Sequence, residues 1–109
     1  MDYEVNGGHL TLRRTAEERE PLLKRLARVE GQVRGLTQMV EADRHCLDAV
    51  QQINAISSAL RELALLMISE HLEAALDAAA KIQDGQELMQ EMITVLRAAM
   101  RQAPPGSGA

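Results

Sequence analysis

The stretch DRHCLDAVQQINAISSALRELALLMISEHLEAALDAAAK, residues 43–81, decides the fold of this 109-residue chain. It contains neither Gly nor Pro, and its apolar residues recur every three or four positions, which is the period of an amphipathic helix. Asp43 is a favourable N-cap residue, so the pattern predicts one long helix that begins there and ends near Lys81. The apolar arc is wide, which predicts that this helix is buried between neighbouring helices.

Two shorter helical patterns flank this stretch. Thr15 begins a capping-box pattern, and the apolar residues from Leu22 onward repeat like a heptad, with Pro21 in the first turn after a short preceding turn. Asp84-Gly85-Gln86-Glu87 is a second start signal, and it predicts a third helix. The protomer is therefore predicted to be all-α, with three helices.

The predicted domain organisation is simple. Residues 1–14 contain Gly7-Gly8, no sustained period and no strand signal, so they are expected to form a flexible N-terminal arm. Residues 15–102 form the helical domain, and residues 103–109 have the composition of a disordered tail. A core without Phe or Trp suits helix-on-helix packing, and small helical proteins often complete such a core by oligomerising.

Charge and cysteine content bound the function. A single Cys, no signal peptide and no apolar run near 18 residues predict a cytoplasmic protein with no membrane role. The net charge of −4 gives no overall sign of nucleic-acid binding. Positive charges nevertheless cluster on the first helix, at Lys24, Arg25, Arg28 and Arg34. This cluster fits either a nucleic-acid surface or an ordinary solvated face.

Cys46 and His71 are 25 positions apart on the long predicted helix. Almost seven turns place both side chains on one face, yet roughly 37 Å apart along the axis. They cannot meet within one chain, but they meet if two copies of the helix pack antiparallel. The spacing predicts a homodimer with two intersubunit thiol-imidazole sites. The alternative is a buried, inert Cys and a core His.

The expected chemistry is binding rather than catalysis. In the first helical turn, the helix dipole favours the thiolate of Cys46, which is both a nucleophile and a soft-metal ligand. His45, beside it, is a candidate to support this ligand by donating a hydrogen bond. The chain has no Gly-rich phosphate loop, no HExxH and no nucleophile elbow, so we predict that it is not an enzyme. A purely structural helical oligomer remains an alternative, although it leaves the basic cluster unexplained.

Several motifs resemble the copper-sensitive operon repressor family, which also includes nickel/cobalt, formaldehyde and persulfide sensors. They are KRLARVEGQVRG at residues 24–35, Cys46, and Glu70-His71-Leu72. The resemblance covers about residues 20–100. It implies an all-α protomer, an antiparallel four-helix-bundle dimer and usually a dimer of dimers. It also implies a DNA-binding repressor that leaves its operator when the sensor site is filled.

The resemblance also implies roles for individual residues. Cys46 and His71 match the metal or inducer ligands, Glu91 matches a carboxylate that supports them, and His45 occupies a position often held by Tyr. Arg25 matches a residue implicated in DNA contact. The other residues expected to extend the DNA-binding surface are Lys24, Arg28, Arg34 and Arg61.

Ala75 stands where the family carries its third ligand, and it is expected to face the partner subunit with His71. The sequence therefore does not decide the identity of the inducer. A thiolate and an imidazole suit Cu(I), which we favour. Zn(II) or Ni(II) would need further donors, for which the candidates are His9, His45 and Glu73. A small electrophile such as formaldehyde, which would react with Cys46, is the alternative inducer.

Overall fold

The computed structural model describes residues 1–81 and 86–101, which form two strands and three helices. In chain order these are β1 Asp2–Asn6, β2 His9–Arg13, α1 Ala16–Glu41, α2 Cys46–Lys81 and α3 Gln86–Arg101. The three predicted helices are confirmed. Asp84 and Gly85, the first two residues of the start signal for the third helix, lie outside the described residues, as does the predicted tail. No helix in the described part of the chain has the length and apolar character that crossing a membrane requires.

The prediction that residues 1–14 form an irregular arm without strands is wrong. β1 and β2 pair antiparallel, with Tyr3 opposite Leu12 and Val5 opposite Leu10. Gly7 and Gly8 have φ angles of +56° and +80°. Positive φ at both central residues is what a tight type I′ hairpin turn requires, and Gly adopts it without strain. The two glycines therefore mark a hairpin turn rather than flexibility.

The start of α1 also differs from the prediction. The helix runs without interruption from Ala16, so Pro21 is its sixth residue and no separate turn precedes it. Proline has no N–H, so the helix lacks the backbone hydrogen bond that this residue would normally donate. The loss falls near the N-terminus, where the helix has made few such bonds. α1 consequently tolerates Pro21 and continues to Glu41.

Asp43 ends α1 instead of beginning α2, which corrects the predicted N-cap. Its φ of +51° is left-handed. The Arg44 N–H donates to the Met39 carbonyl at 2.9 Å and the Asp43 N–H donates to the Val40 carbonyl at 3.2 Å. These two bonds form a Schellman motif, in which Asp is one of the few residues that tolerate the left-handed position. α2 begins three residues later, at Cys46.

The chain divides into two compact units, and the boundary falls within α2. The first unit contains Met1–Thr15 and the described residues from Ala64 onward. Its core is a cluster of small and aliphatic side chains: Leu10, Ala74, Ala75, Ala78 and Leu88. The apolar face of the hairpin packs on this core through Tyr3, Val5 and Leu12. The hairpin is thus an integral part of the first unit.

The second unit is Ala16–Leu63, which comprises α1 and the beginning of α2. Its buried side chains are Leu22, Val29 and Leu63. Most of the predicted apolar stripe is exposed in the single chain. We call the exposed members the apolar stripe, and they are Leu26, Val33, Val40, Val50, Ile53 and Leu60. Burial of these side chains, which the periodicity predicts, is therefore not achieved by one chain alone.

Candidate functional site

His71 lies on α2 in the first unit, beside a carboxylate from α3. Its side chain is 15% exposed, and that of Glu91 is 13% exposed. The distance from His71 Nε2 to Glu91 Oε2 is 3.6 Å, which is just beyond hydrogen-bond range. Nε2 is buried and has no hydrogen-bond partner. Glu91 therefore lies where a carboxylate can orient the imidazole, in keeping with the supporting role that the resemblance implies.

The same carboxylate also faces the hairpin. The Leu10 N–H donates to Glu91 Oε2 at 2.8 Å. His9 Nδ1 is 3.6 Å from Glu91 Oε1, and its side chain is 81% exposed. The structure thus brings His9, a candidate additional ligand, and His71 to opposite oxygens of one carboxylate. The hydrogen bond between the Leu10 N–H and Glu91 could not be predicted, because nearly every residue has a backbone N–H and the residue type does not indicate its partner.

Ala75 does not have the surroundings expected from the sequence. It is 0% exposed, and it belongs to the core cluster that includes Leu10 and Leu88. The expectation that this position faces a partner subunit is therefore wrong in this chain, because the chain's own hairpin and α3 cover it. The position that the resemblance assigns to a third ligand therefore lies within the apolar core of the first unit.

Glu73 is not brought to His71. It is exposed, and it lines a shallow cavity with Tyr3, Ala74 and Asp77. Residues two positions apart on a helix point in different directions, so His71 and Glu73 have different surroundings. Of the three candidate additional donors, His9 is the one that the structure places beside Glu91.

Cys46 is the first residue of α2, and its thiol is free and exposed. His45 precedes it and caps the helix. Its Nδ1 accepts a hydrogen bond from the Leu47 N–H at 3.1 Å, and its carbonyl accepts one from the Asp48 N–H at 3.0 Å. His45 therefore caps the helix within its own protomer, and its expected supporting role beside the ligand stays a prediction. The dipole of the helix favours negative charge at this end.

A thiol and an imidazole are a donor set that fits Cu(I), because soft sulfur and imidazole ligands suit that ion. The unpartnered, buried Nε2 of His71 leaves the ring free to commit one nitrogen to a ligand and the other to Glu91. In residues 1–81 and 86–101 of a single chain, no three His, Cys, Asp or Glu side chains group closely enough to hold a metal ion.

The basic residues of the second unit are partly held by acidic neighbours. Arg25 Nη1 is 3.7 Å from Glu62 Oε2, and Lys24 Nζ is 3.2 Å from Glu20 Oε1. Arg25 and Arg28 line a cavity of about 350 Å³ with Glu62. Arg34 is exposed and Arg61 is half-buried. The cluster is therefore a surface of mixed charge rather than a uniformly positive one.

Polar contacts that the sequence did not reveal hold the hairpin on α2. The Tyr3 hydroxyl donates to Asp77 Oδ2 at 2.6 Å, and Lys81 Nζ is 3.1 Å from the same oxygen. The hydrogen bond to Asp77 raises the pKa of Tyr3, and it lowers the pKa of Asp77. Arg14 Nε donates to Glu70 Oε2 at 2.7 Å, and both side chains are largely buried.

The described residues thus form a small, mainly helical protein whose longest helix begins with a thiol and carries an imidazole further along, and which leaves an apolar stripe exposed. The chain belongs to the metal-sensitive transcriptional repressor family, whose model matches residues 18–98. Because this family consists of repressors, the predicted function class, a transcriptional repressor rather than an enzyme, is confirmed.

Relatives of known function agree with this assignment. The chain is 36% identical over 95 residues to the copper-sensing transcriptional repressor CsoR of Bacillus subtilis, covering 86% of this chain and 94% of that protein. A Cu(I)-bound copper-sensing repressor CsoR from Geobacillus thermodenitrificans is 38% identical, with a TM-score of 0.74 over 81% of this chain and 92% of that one. The nickel-responsive transcriptional regulator InrS is 26% identical, with a TM-score of 0.71 over 84% of this chain and 99% of that one.

Proposed function

We propose that this chain is a DNA-binding repressor that leaves its operator when Cu(I) occupies a site formed by Cys46 of one protomer and His71 of another. One observation carries the proposal. Cys46 and His71 are the first and twenty-sixth residues of one unbroken helix, and the apolar stripe beside Cys46 is exposed. Antiparallel pairing of two such helices would cover the stripe and bring each thiol to an imidazole.

Each residue has a distinct task in this proposal. Cys46 supplies a thiolate, and His71 supplies one ring nitrogen. Glu91 would accept a hydrogen bond from the N–H of the other ring nitrogen and so fix the orientation of the ring; a carboxylate is a usual partner of a metal-bound His. Cu(I), when bound, supplies a soft cationic centre that links two protomers.

The relatives favour Cu(I) over other metal ions. The proteins from Bacillus subtilis and Geobacillus thermodenitrificans are both described as copper-sensing. InrS is described as nickel-responsive, so Ni(II), like Zn(II), is the less favoured alternative. Either ion would require further nitrogen or oxygen donors. Such a site would draw on His9, which already lies beside Glu91.

The DNA-binding surface is proposed to lie on the second unit. Lys24, Arg25, Arg28, Arg34 and Arg61 would contact phosphates, and repetition in a homodimer or tetramer would enlarge the surface. The functional domain is proposed to be residues 15–102, and its action on DNA fits a cytoplasmic location. No membrane partner is proposed.

The test of this function is Cu(I) binding measured by competition with a Cu(I) chelator. We expect one ion per protomer in the wild-type protein, no specific binding in Cys46→Ala, and weakened binding in His71→Ala. Cys46→Ala should still bind DNA, because Ala is well tolerated in a helix, but Cu(I) should no longer release it. Release of Cys46→Ala from DNA by Cu(I) would contradict the proposed site.

The intersubunit arrangement has its own test. His71→Cys, oxidised with the native Cys46, should give a disulfide-linked dimer, because a disulfide needs Cα atoms within about 7 Å and one helix holds the two positions far apart. A monomer containing an internal disulfide would exclude antiparallel pairing. The doubly substituted protein Cys46→Ala/His71→Cys serves as a control that cannot form this bond.

A small electrophile such as formaldehyde is a second candidate inducer. Two observations favour it: Cys46 is exposed, and Ala75 is an alanine sealed in the core where a third ligand would otherwise stand. An electrophile needs one nucleophilic thiol rather than a complete metal site. Native mass spectrometry with Cu(I) or formaldehyde distinguishes the two, because a hydroxymethyl adduct on Cys46 that releases DNA, without Cu(I) binding, would favour the electrophile.

A further inference from the structure

One carboxylate, that of Glu91, lies between the hairpin and His71. Its Oε2 accepts the Leu10 N–H at 2.8 Å and lies 3.6 Å from His71 Nε2. The direct hydrogen bond to Leu10 is the shorter contact, so it is the hairpin that fixes the position of this oxygen. Movement of the hairpin would therefore move the carboxylate that lies beside His71.

The hairpin has several contacts that hold the Leu10 N–H against Glu91. Leu10 is 5% exposed and packs in the core of the first unit. Tyr3 is bonded to Asp77, and Arg14, the residue that directly follows the hairpin, is bonded to Glu70 one position before His71. These anchors combine a buried apolar contact with two polar ones on the same helix that carries His71. Movement of the hairpin would therefore displace the Leu10 N–H from Glu91.

We infer that the hairpin, residues 2–13, is a positioning element of the inducer site. By holding Glu91 Oε2 next to Nε2 of His71, it fixes the ring so that Nε2 carries the proton and Nδ1 is presented to the inducer. This inference rests on the proposed role of His71 as an inducer ligand. It adds the requirement that the site needs an intact N-terminal hairpin in addition to the helical family domain.

Docking of the hairpin and binding of the inducer should be thermodynamically coupled. If a docked hairpin favours inducer binding, then the inducer must favour the docked hairpin by the same factor. Inducer binding should therefore protect the Leu10 amide from hydrogen exchange. An undocked hairpin should weaken the site, and loss of a hydrogen-bonded partner of a metal-bound His typically costs about 10–100-fold in metal affinity.

The first experiment needs no inducer. Leu10→Asn should undock the hairpin, because it places an amide in the apolar core, whereas Thr11→Asn introduces the same side chain at the neighbouring exposed position. Tyr3 is the only Tyr and the chain has no Trp, so tyrosine fluorescence reports docking directly. We expect the imidazole NMR signals of His71 to shift in Leu10→Asn and to stay unchanged in Thr11→Asn. Unchanged signals in an undocked Leu10→Asn protein would overturn the inference.

The second experiment measures Cu(I) affinity by chelator competition. Leu10→Asn should bind Cu(I) at least about 10-fold more weakly than wild type, and Thr11→Asn should match wild type. Equal affinity in both variants would overturn the inference while leaving the proposed function intact. Failure of the wild-type protein to bind Cu(I) would instead reject the proposed function, and the His71 signals would still decide the role of the hairpin.

A milder variant covers the case in which Leu10→Asn does not fold. Tyr3→Phe combined with Arg14→Gln removes both polar anchors and leaves the core side chains in place. Far-UV circular dichroism should show wild-type helix content. We expect the same displacement of the His71 signals and a smaller loss of Cu(I) affinity. A loosened hairpin, reported by increased exchange of the Leu10 amide, together with wild-type His71 signals would count against the inference.

Discussion

The two compact units of this chain differ in how they bury apolar surface. The first unit covers its small core with its own hairpin and α3, so that Leu10, Ala75 and Leu88 are almost fully buried. The second unit buries few side chains and leaves the apolar stripe in solvent. Exposed apolar side chains that share one face of a helix are typical of an interface. The first unit thus has a core of its own, although it also exposes large apolar side chains such as Leu76 and Met89, whereas the second unit leaves its apolar stripe uncovered in the single chain.

The largest expected effect comes from placing a charge in the apolar stripe. Val33→Asp should prevent assembly, because burying an unpaired carboxylate costs about 3–5 kcal/mol. Met89→Asp, at an exposed apolar position of the first unit, is the matched control and should assemble normally. Native mass spectrometry measures the oligomer in both variants. If Met89→Asp dissociates and Val33→Asp does not, the comparison between the units is reversed.

A charge reversal on the basic surface tests whether the second unit of each protomer contacts DNA. Arg28→Glu should weaken DNA binding by about 10-fold or more and lower the salt slope by about one contact per protomer, because a phosphate contact is lost in each copy. Glu62→Gln should act in the opposite direction, since it releases Arg25 from its acidic neighbour. Fluorescence anisotropy with duplex DNA at several salt concentrations measures both. Wild-type slopes in both variants would mean that this face is only solvated.

The stability of the first unit should depend on the packing around Ala75. Ala75→Leu adds volume where no space is open, and such overpacking typically costs about 1–3 kcal/mol. Urea unfolding should show this loss, and tyrosine fluorescence should show that the hairpin is displaced. The oligomer should persist, because the apolar stripe is unchanged. Ala80→Leu, at an exposed position on the same helix, should have little effect. Comparable destabilisation by both substitutions would argue against a tight core at Ala75.

The smallest effect is a pH dependence of the hairpin anchor. The hydrogen bond needs a protonated Tyr3 and an ionised Asp77. The raised pKa of Tyr3 means that its contribution is present below the ordinary tyrosine pKa and is lost as pH rises through the raised value. The lowered pKa of Asp77 means that its contribution is present above the ordinary aspartate pKa and is lost as pH falls through the lowered value.

Absorbance of the single tyrosine measures this anchor directly. We expect the phenolate of Tyr3 to appear at higher pH in the wild-type protein than in Asp77→Ala, because the bond to Asp77 is the main cause of the raised pKa. Glu73→Ala, which removes a nearby exposed carboxylate that is not bonded to Tyr3, is the control. An identical titration in wild type and Asp77→Ala would show that the anchor is absent in solution.

The helices could be predicted from the sequence because their periodic patterns are long. The end of α2 at Lys81 follows from such a pattern. Its start does not, because Asp favours both an N-cap and the left-handed end of a helix, and Asp43 takes the second role. The hairpin was missed for a similar reason. Gly7-Gly8 permits both a mobile segment and a tight turn, and strands of five residues carry little periodic signal.

The site was predictable only in part. The spacing of Cys46 and His71 follows from helix geometry, and the resemblance pointed to Glu91. The surroundings of these residues depend on contacts that sequence patterns do not encode, such as the backbone N–H of Leu10 on Glu91 and the core around Ala75. The capping role of His45 was hidden because histidine is an uncommon N-cap residue.

The complete burial of Ala75 constrains the evolutionary paths open to this protein. A cysteine at this position would be a natural first step toward a site with two thiolates, yet its sulfur would meet Leu10 and the rest of the core rather than an open ligand seat. A lineage that gained the thiol first would strain the core without improving the sensor. We therefore expect a thiol at residue 75 to become useful only if the core cluster that includes Leu10 also changes. A docked hairpin and a metal ligand at residue 75 would thus compete for the same space, and we expect a related protein to have one or the other.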